Sequence, residues 1–333
     1  MIRIASTTLL AAATISLAAM TDQPTAAAAS FYEGKTLKVV IRSSPGGGYD
    51  YYGRLIARHM PRHIPGNPNS TPVNISGAGG IVATNYMMNR AKRNGTEIAI
   101  LNRELAIAQR TKSTGVKYDV RQLIAIGSAA SSTSITVLAG NHPVKTIGQL
   151  RKFGKTVKMS VTGPGSGSYQ RVAMLKYDGF PVEMITGYSS SQERFLAIAR
   201  GEVQGTVNSY ESTATAIKEY GLTAIGYLGN ARPELKGVPN LRSALSAKGR
   251  QLASLMAAPM AAGRPFFTTP KVPADRVKIL RAAFKAALSD PKLLAEAKKA
   301  KRSVSWTDPL EIESINRDIL DASDEVIKTF KNM

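Results

Sequence analysis

The chain has 333 residues, no Cys and three His (His59, His63 and His142), which excludes a disulfide scaffold and a Cys/His zinc centre. Lys and Arg number 44 against 23 Asp and Glu, so the formal net charge is +21 and the field favours anionic partners. The basic residues are spread along the chain without an RNA-binding or groove-reading motif, so nucleic acid is not an expected partner.

The N-terminus reads as a secretory signal over residues 1–29. Met1-Ile2-Arg3 is a short basic start, residues 9–19 are an apolar run, and Ala26-Ala27-Ala28-Ala29 supplies the small residues of a cleavage site. The run is too short and too rich in Ala, Ser and Thr for a membrane span. A mature chain starting at Ser30 or Phe31 in the periplasm is the expectation. The remaining length suits two domains.

Strands and helices then alternate. Residues 37–41 read as a buried strand, followed by Pro45-Gly46-Gly47-Gly48 and an amphipathic helix with Asp50 as its N-cap. That helix would turn Tyr52, Leu55, Ile56 and Met60 inward. Residues 73–75 form a second strand, then Gly77-Ala78-Gly79-Gly80 and a second helix; residues 98–101 form a third strand. A strand–glycine loop–helix unit used twice points to a parallel α/β sheet. The pattern recurs with strands over 137–139, 158–161, 203–207 and 223–227. A third glycine loop, residues 163–168, follows the second of these, and Ser190 with Glu193 reads as a capping box. The C-terminal part is helical. Asp290-Pro291 and Asp308-Pro309 each pair an N-cap with a first-turn Pro, and Ile315, Ile319, Val326 and Phe330 form the stripe of one last helix.

The three glycine loops carry the functional signal. In open α/β sheets ligands bind beyond the carboxyl ends of the strands, where helix N-termini offer free backbone N–H groups to an anion. Glycine lets the backbone approach closely, and Ser43, Ser44, Ser166 and Ser168 add hydroxyl donors. The dinucleotide and P-loop spacings are absent. Catalysis lacks its parts: there is no Cys nucleophile and no G-x-S-x-G elbow. His59, His63 and His142 are expected at the surface, and Trp306 in packing. No enzyme, cofactor or metal is expected.

The ordered motifs resemble the Bug-type receptors, the periplasmic solute-binding subunits of tripartite tricarboxylate transporters. The resemblance runs from Phe31 to the C-terminus. It is carried by Phe31-Tyr32-Glu33-Gly34-Lys35, Pro45-Gly46-Gly47-Gly48-Tyr49-Asp50, Gly77-Ala78-Gly79-Gly80, residues 160–168, Gly187-Tyr188, Gly201-Glu202-Val203-Gln204 and Val272-Pro273. It implies an α/β, two-domain periplasmic-binding-protein (Venus flytrap) fold. Each domain would be a mixed, mostly parallel sheet flanked by helices, joined by a hinge of two crossings near 130–133 and 252–259. Residues 30–131 plus 256–333 would form domain 1 and residues 132–255 domain 2. It further implies that the first two glycine loops clasp one carboxylate.

The candidate ligand-binding residues are Ser43, Ser44, Gly46, Gly47, Gly48, Tyr49, Asp50, Gly77, Ala78, Gly79, Gly80, Asn102, Arg103, Thr133, Gly165, Ser166, Gly167, Ser168, Tyr188 and Asn208. Within the first loop Gly47→Val is expected to abolish binding while leaving the fold intact. The sequence departs from the family pattern at Gln204, at Leu101-Asn102-Arg103-Glu104 and at Ser189-Ser190-Ser191. Arg103, if it enters the cleft, could pair with a second carboxylate through its planar fork. The expected partners are a small organic anion (a mono-, di- or tricarboxylate) and membrane permease subunits, with the protein itself a monomer. A signalling receptor of the same fold and an anion-processing enzyme stay open as alternatives.

Overall fold

The computed structural model describes residues 31–331. The expected signal segment, residues 1–29, lies outside the described residues, as does the Val326 side chain.

Two five-stranded sheets organise the chain. The first contains β1 (Thr36–Ile41), β2 (Asn69–Asn74), β3 (Glu97–Ile100), β4 (Ile124–Ser128) and β10 (Pro265–Thr268), in the order β2-β1-β3-β10-β4. The second contains β5 (Ser134–Ala139), β6 (Val157–Ser160), β7 (Val182–Ile185), β8 (Gly205–Ser209) and β9 (Leu222–Leu228), in the order β7-β6-β8-β5-β9. β1 runs parallel to β2 and β3, and β6 runs parallel to β7 and β8. β10 and β5, the strands that each follow a passage between the sheets, run antiparallel to both neighbours. This is the two-lobed architecture the sequence resemblance implies.

Burial explains which strands were legible. Leu37, Val39, Val40 and Ile41 are fully buried and only the half-buried Lys38 interrupts them, so β1 is a largely apolar run, as a strand covered on both faces should be. β2 is an edge strand of polar residues that tolerates Pro72, and only its end reads as a strand in the sequence. β4, β7 and β10 have four or five residues each and give too little periodicity to be recognised.

The helices are α1 (Gly48–His59), α2 (Ile81–Asn89), α3 (Leu105–Arg110), α4 (Ile147–Arg151), α5 (Gly167–Tyr177), α6 (Ser191–Ala199), α7 (Tyr210–Glu219), α8 (Ala247–Ala262), α9 (Ala274–Leu288), α10 (Pro291–Lys299), α11 (Pro309–Leu320) and α12 (Asp324–Lys331). Gly47, not Asp50, is the N-cap of α1; the Asp50 carboxylate instead accepts from the Gly46 N–H at 3.1 Å and from Arg54 Nε at 2.9 Å. In α6 the Ser190 hydroxyl caps Glu193 N–H as expected, but the Glu193 carboxylate reaches one residue further back, to Ser189. The expected last helix is two helices. The chain turns at residues 321–323, and α12 then packs on α8 and buries Ile327 and Phe330. His59 is buried rather than at the surface. Its Nε2 lies 2.7 Å from Glu296 Oε2, because α10 packs on α1 there. Trp306 packs on Phe284, ring centroids 6.0 Å apart.

The chain leaves the first sheet through residues 129–133 and returns at residues 263–264. These passages lie side by side: Arg264 N–H donates to Ala130 O at 2.9 Å, and Ala129 N–H to Arg264 O at 3.1 Å. Residues 252–259, where the return is expected from the sequence, sit inside α8, which continues through Pro259. α8 packs on α5 of the second lobe and on α11 of the first, so it links the lobes rather than crossing as a bare strand.

Candidate functional site

Parallel strands in each sheet deliver their carboxyl ends to one region. β1 ends at Ile41 and leads through Arg42 and Ser43 to α1; β3 leads through Asn102, Arg103 and Glu104 to α3. From the other lobe β6 leads to Thr162 and Ser166 before α5, β7 to Ser190 before α6, and β8 to Ser209 before α7. All of these residues except Ile41 line one small chamber of about 50 Å³ between the sheets. Its placement obeys the rule that ligands sit beyond the carboxyl ends of strands. Gly47, Ser166, Ser190 and Ser209 are the N-caps of α1, α5, α6 and α7, so four helix N-termini present partial positive charge to the same space.

Five arginines face this chamber: Arg42, Arg103, Arg171, Arg194 and Arg264, none more than 6% exposed. One carboxylate, Glu104, lines it with them and is 1% exposed. Glu104 Oε1 accepts from Arg103 Nε at 2.8 Å and from Arg171 Nη2 at 2.9 Å, the second bond joining the two lobes. Arg42, Arg194 and Arg264 form no ion pair among the described residues. Neutral groups hold them instead. Arg42 donates to Asn102 Oδ1, and Arg194 to Thr206 Oγ1 at 2.7 Å, Val207 O at 3.0 Å and Asn208 Oδ1 at 3.0 Å. Arg264 donates to Ser209 Oγ at 2.6 Å. The Tyr49 ring lies between Arg42 and Arg264, 4.6 and 4.7 Å from their guanidinium carbons.

The donors are not all used. Arg42 Nε, Arg103 Nη1, Arg171 Nε, Arg264 Nε and the Ser43 hydroxyl are buried without a hydrogen-bond partner among the described residues. Such groups are costly until an acceptor arrives. Burial pushes Arg194 down to about 9, with Arg42 adding to the effect, and burial lowers Arg42 and Arg171 as well. Burial would also lower Arg103, but the Glu104 charge beside it raises it. Burial would raise the Glu104 carboxyl, yet Arg103 and Arg171 outweigh it and hold it at about 2.

A second chamber of about 160 Å³ adjoins the first and shares Arg42, Thr162 and Ser189 with it. Gly77, Ala78, Gly79 and Gly80 line it, all with positive φ, opposite Gly163, Gly187 and Tyr188. A Cβ on Gly79 would stand 2.7 Å from Gly163 O and from Ser166 N, so glycine is required where the lobes meet. The Asn102 amide ties the loops together, donating to Gly79 O at 2.5 Å and to Gly165 O across the cleft.

Of the residues singled out from the sequence, Ser43, Gly47, Gly48, Tyr49, Asn102, Arg103, Ser166, Gly167, Ser168 and Asn208 line the first chamber. Gly77, Ala78, Gly79, Gly80 and Tyr188 line the second. The first glycine loop lines the first chamber and the second loop the chamber that adjoins it. Ser44, Gly46, Asp50, Thr133 and Gly165 line neither. Asp50 braces the first loop, the Thr133 hydroxyl donates to Asn230 O at 2.9 Å, and Gly165 offers its carbonyl to Asn102. Gln204 bonds Lys158 N–H away from the cleft. The sequence reading missed Arg42, Arg171, Arg194 and Arg264. A signal was present. Arg194 falls in the first turn of α6 and Arg171 in the second turn of α5, where a cation opposes the helix dipole unless an anion shares the site.

Residues 70–331 match the tripartite tricarboxylate transporter family receptor. The chain belongs to this receptor family. No curated protein matches it. Among solved structures it is similar to the periplasmic binding protein BugD (16% identity, TM-score 0.73, covering 90% of this chain and 98% of that one). It is also similar to MatC from Rhodopseudomonas palustris with bound malate (17% identity, TM-score 0.70, 90% and 98% covered). A third similar structure is an R. palustris protein with adipate (17% identity, TM-score 0.71, 89% and 97% covered).

Two expectations follow for this receptor. The Glu104 carboxyl is held below its ordinary value in the folded state, so its contribution to stability is complete above about pH 5. That contribution is lost as pH falls from 4.5 through about 2. Urea unfolding at stepped pH should show stability falling over that window, and Glu104→Gln should make the fall shallower, leaving the part due to other lowered carboxyls such as Asp178 and Glu296. The second expectation concerns closure. A Cβ on Gly48 would stand 2.1 Å from Ser212 Oγ of the second lobe and 2.8 Å from Arg264 Nη2, whereas one on Gly47 has its nearest neighbour at 3.5 Å. Gly48, rather than Gly47, is therefore the sensitive position. Gly48→Val should weaken anion binding at least tenfold in calorimetric titration, and Gly47→Ala should bind within about threefold of wild type.

Proposed function

We propose that this protein is the periplasmic receptor that captures a small, carboxylate-bearing organic anion between its two lobes and presents it to membrane permease subunits. The observation that carries this reading is the arginine chamber: five buried guanidiniums and four helix N-termini against one carboxylate. Such a site is poorly satisfied alone and well satisfied with an anion. The adjoining positive-φ loop of Gly77 to Gly80 supplies a backbone concavity suited to a carboxylate. Malate and adipate in the similar structures support the ligand class. The closing bodies would divide at residues 129–133 and 263–264, the second a few residues past position 256 expected from the sequence. The role is capture rather than catalysis.

A thermal-shift screen of the mature protein against mono-, di- and tricarboxylates tests this. An anion at about a hundred times its Kd should add roughly 2.7 kcal/mol of stability, a shift of several degrees. A flat response to every anion, with no anion released on denaturation, would reject the receptor reading.

A further inference from the structure

We propose that the captured anion is bipartite. A carboxylate body would occupy the Gly77 to Gly80 chamber, and a compact tetrahedral dianion, a phosphate monoester or phosphonate group, would occupy the arginine chamber. This inference rests on the anion-receptor reading and specifies the anion.

Charge is the first reason. Glu104 serves Arg103 and Arg171, which leaves Arg42, Arg194 and Arg264 without an ion pair among the described residues. A single carboxylate in the chamber would leave two of those buried guanidiniums uncompensated. A phosphoryl dianion plus one carboxylate at the Arg42 boundary supplies three charges.

Size is the second. Fifty cubic ångströms open to water centres corresponds to roughly three to five ordered waters, so the arginine chamber takes a head group of a few heavy atoms. A citrate-like molecule with three charges spread over its length can place only one carboxylate there. A phosphoryl group brings two charges in the same room.

Direction is the third. The helix N-termini at Gly47, Ser166, Ser190 and Ser209 come from both lobes. Unpartnered nitrogens on Arg42, Arg103, Arg171 and Arg264, all buried, lie around the same space. A planar carboxylate presents two oxygens in one plane. A phosphoryl group presents three in a pyramid, and guanidinium forks match pairs of them. Arg42, Thr162 and Ser189 belong to both chambers, so one ligand can span them.

Calorimetric titration of the mature protein with 2-phosphoglycolate, inorganic phosphate, malate and citrate at pH 7.5 tests this. The expected result is one 2-phosphoglycolate per chain, bound at least tenfold tighter than each of the other three. Arg194→Met should erase that preference over malate. Malate or citrate binding as tightly as 2-phosphoglycolate would overturn the tetrahedral head and leave the receptor reading intact. Inorganic phosphate matching 2-phosphoglycolate would overturn the carboxylate body. No binding of any of the four by protein that melts cooperatively would overturn this inference, and the receptor reading would fall with it only if the carboxylate screen were also flat.

Discussion

Arg42→Met abolishes anion binding, at least a hundredfold in Kd, while leaving the ligand-free protein at least as stable as wild type. Arg42 is 6% exposed, its guanidinium has Asn102 as a side-chain partner, and its Nε has none among the described residues. Burial already lowers its affinity for its proton. Removing the charge forfeits a stacking contact with Tyr49 worth about 1–2 kcal/mol, but it also removes a buried charge whose desolvation costs several. Met keeps apolar volume over the ring. Binding suffers because Arg42 borders both chambers, and truncating one partner of a buried charge pair costs about 2–5 kcal/mol. Titration calorimetry and thermal melting of the same preparation read both effects. A variant that melts lower and binds normally would make Arg42 a structural residue.

Glu104→Ala has the opposite signature. Glu104 is the one carboxylate among the chamber's five arginines, and it joins Arg103 of the first lobe to Arg171 of the second. Its loss leaves two guanidiniums buried together without a counter-charge. Breaking a buried ion pair from one side costs about 3–5 kcal/mol. For a chain of this size that is a drop of roughly 5–8 °C in melting temperature. Added anion should recover part of the loss, because the vacated position attracts negative charge. A melting temperature within a degree of wild type would show that the triad does not hold the lobes together.

Much of this architecture was legible in the sequence because parallel strands advertise themselves. β1 reads as four buried aliphatics in five residues, and the glycine loops mark where the strands end. The ordered loop motifs then pointed to the receptor family and its two lobes. What stayed hidden depended on contacts between segments far apart in sequence. Glu104 and Arg171 are 67 residues apart, and although Arg171 near a helix N-terminus hints at an anion, nothing in the sequence says which carboxylate it meets. Arg264 sits where the chain returns to the first sheet, and nothing local distinguishes it from a surface arginine. α8 was missed because Gly249 and Pro259 argue against a helix, and packing against both lobes overrides that propensity. The +21 charge gave the right sign of partner but could not say that five of its arginines are gathered in one chamber.

Whether the arginine chamber captures the anion is tested most directly by titrating the best-stabilising anion from the thermal screen into wild type and into Arg194→Met. The predicted result is one anion per wild-type chain and at least a hundredfold weaker binding to the variant. Equal affinity in the two proteins would place the anion elsewhere and contradict the assignment of the chamber as its site.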